Sequence, residues 1–556
     1  MRRNLLLTSL VFFILSRTVA QTPFTTCDSV NINRINARIL VHGDMFWNPQ
    51  EGVAACQFPA GSGKDINFVA ALWMGGYDGS GQLHVSAQTY RQTGNDYWPG
   101  PLTSDTLTYA TSQNWAKIWK VSNSDIQSFL ATATHTTTNT PQSILTWPGK
   151  GNTYAAGNAG AALTVSTGMA PFVDLNGDGI YEPLDGEYPD IKGDQALWWV
   201  FSDNGPSHGQ TNGKPFGMEI HAMAYAYNRG TLIDNVIYFD YSLINRSSNT
   251  YTNTRLGLFD DIDLGWYDDD YIGFDSSHRM GVQYNGNNDD GAGGGFPYNS
   301  YGTHIPIVGM TMIVLPGDVG TSYVPAGSFI YFNNDASIIG NPVTDTQYNY
   351  YLNAQMNNGQ HFTNDFQGAG IPCPAMGTGP NCNYVYTGDP SNAAQWSECG
   401  CNNTPGDRRF IISSNDMTLS PGGSQHIVMA FVTTNPDTLN GCPGASFDSL
   451  KIIADTAWTD YFNPPAVLTA VSNVTAGSGV NIYPNPAHDV LYIQVTGSLP
   501  GDEQITIYNC IGQVMDLAID YSGTKDRVNI SSLPPGLYNV LYRKGNVQKI
   551  VKFLKE

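Results

Sequence analysis

The stretch DLNGDGIYEPLD, residues 174–185, places oxygen donors at the spacing of a calcium loop. Asp174, Asn176 and Asp178 take positions 1, 3 and 5, Gly179 permits the sharp turn at position 6, and Ile180 offers its carbonyl. Glu182 and Asp185 complete the expected set. These are hard oxygens carrying high local negative charge, the donor chemistry that suits calcium. A bound ion would neutralise carboxylates that otherwise repel, and would stabilise the folded loop by mass action. An Asx-rich turn without an ion fits the same residues.

A second acidic group, FDDIDLGWYDDDYIGFD (259–275), gathers Asp261, Asp263, Asp268, Asp269, Asp270 and Asp275 at a spacing that matches no single loop. Calcium, a solvated acidic turn and a pair of glycosidase carboxylates are all open to it. GPSHG at 205–209 meets G-x-S-x-G formally. Pro206 before Ser207 and QTNGKP after it deny the strand–turn–helix that exposes a nucleophile, so His208 reads as a loop histidine. Glu219 and His221, two apart, would share one face of a strand without making a zinc-protease motif. No P-loop and no dinucleotide fingerprint occur. Enzymatic activity is therefore not indicated, and no catalytic residue is assigned.

The elements that must position these groups read as mainly β. Only 13% of the 556 residues are charged, while Gly, Asn, Thr and Tyr abound, as in turn-rich sheets. The length allows two or three domains with full cores. Of the 26 basic and 47 acidic side chains, residues 481–556 carry seven of each and the first twenty residues three arginines, so residues 21–480 hold 16 basic and 40 acidic groups. Such a body is repelled by nucleic acid and anionic lipid. MRRN, LLLTSLVFFIL and TVA before Gln21 predict a signal peptide over 1–20, and no later run is long and apolar enough to span a membrane.

Exported chains favour disulfides over free thiols. Cys27 with Cys56 is the expected N-terminal pair; Cys373, Cys382, Cys399 and Cys401 cluster in a loop-like region, and Cys510 in an apolar run reads as a lone buried thiol. Ser122 and Asp125 predict a capped helix over 122–133, and Leu450, Ile453, Ala457 and Tyr461 one face of a helix over 448–462. TLIDNVIYFDYSLINRS (231–247) and SQHIVMAFVTT (424–434) predict strands. One or two β-sandwich-like units would absorb the body, residues 21–468, with a linker over 469–480. Adjacent aromatics such as Trp198–Trp199 suit both core packing and sugar stacking, with core packing the simpler use.

The last residues, 481–556, alternate as about seven short strands separated by LPGDE, CIGQ, LPPG and KGN, the pattern of a compact β-sandwich. YPNPAHDVLYI, IYNCIGQV, ISSLPPGLYNV and VQKIVKFLKE, in that order, resemble the type A C-terminal sorting domain of type IX secretion cargo in Bacteroidota. The resemblance implies two-step export: a signal peptide for the inner membrane, then recognition of the folded tail by the type IX machinery at the outer membrane. It also implies surface lipopolysaccharide as a candidate attachment partner and a secreted or surface location, reached via the periplasm.

Blocks of the body, among them FVAALWMGGYDGSGQLHVSAQTYRQTGNDYWPGPL (68–102), DIDLGWYDDDYIGFD (261–275) and PGDRRFIISSNDMTLSPGGSQHIVMAFV (405–432), are similar to a large uncharacterised group of such cargo, which names no activity. The expected function is a calcium-stabilised, non-enzymatic adhesion, structural or glycan-binding protein, with extracellular glycans as candidate partners. The alternative is a secreted polysaccharide hydrolase with unassigned carboxylates.

Overall fold

Two large antiparallel sheets face one another in the computed structural model, which describes residues 24–464 and 479–555 apart from 91–93, 103–105, 292–299, 321, 497–502, 510–513, 516, 522–524 and 545–546. The segment 1–20, most of the expected linker and Cys510 lie outside the described residues. The larger sheet runs, in spatial order, through Asp270–Asp275, Met280–Asn285, Val308–Val314, Ser424–Thr433, Val236–Asn245, Met218–Ala226, Gln195–Ser202 and Trp98–Pro99, with Trp119–Ser122 also paired to Gln195–Ser202. The smaller runs through Ser328–Asn333, Arg408–Ser413, Tyr251–Asp261, Val69–Tyr77 and Leu83–Ala87, with Met417–Leu419 beside Tyr251–Asp261.

The strand Gln195–Ser202 is buried at every position, because both faces of the larger sheet are covered. Successive strand residues point to opposite faces. Trp199, Phe239 and Tyr241 pack toward the smaller sheet with Trp73, Leu258 and Phe259. Trp198, Tyr225 and Tyr238 pack on the other side against Trp119, Trp147 and the helix Asp448–Phe462. The two tryptophans therefore serve separate cores. Gly281 marks how closely the sheets approach: a Cβ there would lie 2.7 Å from the Phe410 ring and 2.8 Å from that of Phe329.

Ser424–Thr433 enters the larger sheet between Val308–Val314 and Val236–Asn245, so strands distant in sequence share one sheet. One core fills the space between the two sheets and a second lies on the outer face of the larger sheet, so the two sheets make a single sandwich. The helix Asn123–Leu130 carries the Ser122/Asp125 capping box, and Asp448–Phe462 buries Leu450, Ile453 and Ala457 as the periodicity implies.

The Cys27–Cys56 pairing is corrected: both thiols are free. Cys27 pairs in register with Leu40, whereas Cys56 pairs with Ala37 on the far side of that same strand. Two strand spacings, roughly 9–10 Å, separate them sideways and three residues, roughly 10 Å, along the strand, beyond disulfide reach. The bridges formed are Cys373–Cys401 and Cys399–Cys442, and Cys382 is free.

The tail forms two four-stranded sheets, Gly479–Tyr483, Val490–Thr496, Lys525–Asn529 and Ile519–Asp520 in one, and Val514–Met515, Glu503–Asn509, Gly536–Lys544 and Val547–Lys555 in the other. Leu491, Ile493, Ile507, Val528, Val540 and Phe553 fill a core made of tail residues alone. No helix among the described residues is long and apolar enough to cross a membrane.

Candidate functional site

Neighbouring strands of the smaller sheet bring the first acidic residues of 259–275 to a cavity of about 610 Å³. Asp260 pairs with Phe410, so the next residues along, Asp261 and Arg409, lie side by side. Arg409 Nε approaches Asp261 Oδ2 at 3.1 Å, and its Nη1 approaches Asp407 Oδ1 at 2.9 Å. The Tyr90 hydroxyl also donates to Asp261 Oδ2. Burial pushes the Asp261 carboxyl up to about 6, with Arg409 pulling the other way and Asp407 adding to the rise. Burial, then Asp261 and Asp407, raise Asp263 well above the carboxylate range. Asp407, Arg409 and Tyr90 were not singled out as site residues; the only local trace is the Asp-Arg-Arg that opens an apolar strand.

The rest of the acidic group separates. Asp275 hydrogen-bonds His278 at 2.6 Å, Asp268 is exposed, and Asp269 and Asp270 join Asp290 in a second buried nest. There burial and Asp290 push Asp269 up to about 7, and burial pushes Asp290 up to about 6. Burial likewise lifts Asp96 to about 6.

These raised carboxyls hold protons in the folded chain at pH values where the unfolded chain has released them, so stability rises as pH falls from about 7 toward 5. His208 acts in reverse: burial holds it down to about 4, so the unfolded chain takes up that proton first as pH falls below about 6.5. Asp96, Asp269 and Asp290 outweigh it by on the order of 2 kcal/mol. The thermal midpoint of the purified body in chelator is expected to be higher at pH 5.5 than at pH 8. A midpoint that falls over that range would contradict these assignments.

The loop 174–185 closes on itself. Asp174 accepts from Gly177 and Gly179 N–H at 2.7 and 2.8 Å, with φ of +79° and +73° at those glycines. Asp178 Oδ1 accepts from Ile180 N–H at 2.7 Å, and the Asn176 amide nitrogen lies 3.2 Å from Asp178 Oδ2 and 3.1 Å from Glu182 Oε2. Asp174, Asn176, Asp178 and Glu182 thus line one loop. Asp185 is exposed, in the turn Pro183–Asp185. The closing anchor is Glu187, buried and accepting from Leu175 and Glu182 N–H at 3.0 and 2.8 Å. Glu187 lies just past the twelve-residue template.

No helix follows Ser207, which is exposed. Its neighbour His208 lies 3.1 Å from Ser86 Oγ through Nε2 and 3.3 Å from Asp96 through Nδ1. This imitates a nucleophilic triad, but Ser86 is fully buried and its hydroxyl donates to Asp203 at 2.7 Å. A substrate cannot reach it. Glu219 and His221 do share a strand face, 2.8 Å apart.

Comparison with known proteins identifies the tail. A search of curated proteins returns no match. A solved polysaccharide lyase aligns with 61% of this chain at 8% identity and a TM-score of 0.18. The chain spans about a third, 34%, of that protein's length. Residues 481–556 match the secretion system C-terminal sorting domain, the segment whose separate two-sheet core is described above. The chain is a type IX secretion cargo protein, exported to the cell surface or released, and its tail is the part that engages the secretion machinery.

Proposed function

We propose that the exported body is a glycan-binding protein whose binding site is the cavity beside Asp261. The lining of that cavity carries the reading: Tyr90 and Tyr267 offer ring surface for sugar C–H groups, and Asn334 and Asn341 offer amides for hydroxyls. Among the described lining residues the basic side chain, Arg409, is already shared between Asp261 and Asp407 and is not free to meet a uronate carboxylate, so the ligand class is a neutral glycan. Tyr267 is 40% exposed and contributes little to the core. Purified body on a panel of neutral oligosaccharides should show a binder, with Tyr267→Ala weakening it at least about tenfold while leaving the melting point unchanged. Absence of any binder, or a Tyr267→Ala variant that binds as tightly, would defeat this reading.

A polysaccharide hydrolase is the second reading, favoured by the raised Asp261 carboxyl beside Asp263 and Asp407. Against it, Asp261 Oδ2 is already engaged by Tyr90 and Arg409. Release of reducing ends by wild type but not by Asp263→Asn would favour hydrolysis.

We also infer that 174–182 binds calcium through Asp174, Asn176, Asp178, Glu182 and the Ile180 carbonyl, with the Asn176 amide rotated so that its oxygen faces the ion. The convergence of these side chains on one glycine-turned loop supports it. Calcium should raise the melting point of wild-type body more than that of Asp178→Asn; equal responses would remove the loop as a calcium site. Segment 1–20 would serve as the signal peptide, and lipopolysaccharide as a candidate anchor after sorting.

A further inference from the structure

Asp261, Asp263 and Asp407 present carboxylate oxygens that all lie within 4.8 Å of one another in the cavity wall. Calcium binds oxygens at about 2.3–2.6 Å, so ligands on opposite sides of one ion stand roughly 4.6–5.2 Å apart. The upper limit of that spacing is compatible with one shared ion.

Charge balance points the same way. Arg409 is shared between Asp261 and Asp407, and no second cation is paired with the triad among the described residues. Three carboxylates around one guanidinium leave an excess of two negative charges in a partly dry wall, an arrangement that repels itself unless a dication or protons enter. Asp65 adds to the same repulsion at Asp263.

An unpartnered acceptor supplies a further indication. Asp261 is 1% exposed, and while Oδ2 takes Tyr90 and Arg409, Oδ1 has no hydrogen-bond partner. Buried acceptors left unpaired are costly. An ion shared by the three carboxylates relieves the charge and gives the buried Asp261 Oδ1 a partner.

We propose that Asp261, Asp263 and Asp407 hold a hard divalent cation of the calcium class in the wall of the cavity. This site is separate from loop 174–185 and does not depend on the glycan reading, since the ion would bind whether or not sugar does. Its donors come from two neighbouring strand ends, whereas the loop's come from one continuous segment.

Calorimetric titration of Ca²⁺ alone into purified body tests it. Asp178→Asn, with the loop disabled, should still bind one equivalent, and adding Asp263→Asn should abolish that binding with the near-UV spectrum unchanged. Should the Asp263 change prevent folding, Asp407→Asn replaces it, because Asp261 then keeps its contacts with Arg409 and Tyr90. No binding by Asp178→Asn, or undiminished binding by the folded double variant, would overturn the proposal. A loop that never bound calcium would show instead as one equivalent in wild type, unaffected by Asp178→Asn.

Discussion

Asp203→Ala is expected to unfold the body under mild denaturant, although the residue does not line the cavity beside Asp261. Its carboxylate is fully buried and accepts four donors: Ser86 Oγ at 2.7 Å, Phe216 N–H at 2.6 Å, Gly217 N–H at 2.9 Å and Met218 N–H at 2.6 Å. Those contacts pin the loop after Gln195–Ser202 to Leu83–Ala87 and set the start of Met218–Ala226. Alanine leaves the three backbone donors buried without acceptors, each costing about 1–3 kcal/mol, while the Ser86 hydroxyl can turn to His208 Nε2. Removing a desolvated charge returns part of this, and burial does raise the Asp203 carboxyl above its usual range. A net loss of about 4 kcal/mol or more is large against a domain stability of about 5–15 kcal/mol. Asp203→Asn keeps one acceptor oxygen and should lose about half as much. Urea unfolding of the body reads the difference as a lower midpoint at unchanged slope; a loss within about 1 kcal/mol for Asp203→Ala would mean that water replaces the carboxylate.

Local patterns were legible where the physics is local. Ser122 three residues before Asp125 specifies a capping box, and the helix starts there. Leu450, Ile453 and Ala457 recur at helical spacing and pack on the larger sheet. The tail's alternating strands and turn residues needed no distant partner to be read, and eight strands form where about seven were expected.

What escaped depends on pairing across long sequence separations. Asp261 and Arg409 meet because Tyr251–Asp261 and Arg408–Ser413 are sheet neighbours, which nothing near either residue encodes. Six of the seven aspartates of 259–275 resemble one cluster in the sequence, yet strand geometry sends them to separate places. Cys27 and Cys56 looked pairable by proximity in the chain, but a strand lies between them. In the loop at 174, the template ends at Asp185 while Glu187, two residues on, has the side chain that closes it.

A tail with its own core, attached to a body whose core includes none of its residues, is built to be recognised as a unit whatever precedes it. Removing residues 480–556 should leave the body folded and strand it in the periplasm, with export reduced by at least about tenfold. Cell fractionation of the full chain against that truncated form, with the body's near-UV spectrum as the folding control, measures this directly. Accumulation in the periplasm alone is the expected result; folded, truncated protein reaching the surface or medium in full amounts would show that the terminal sandwich is not what directs export.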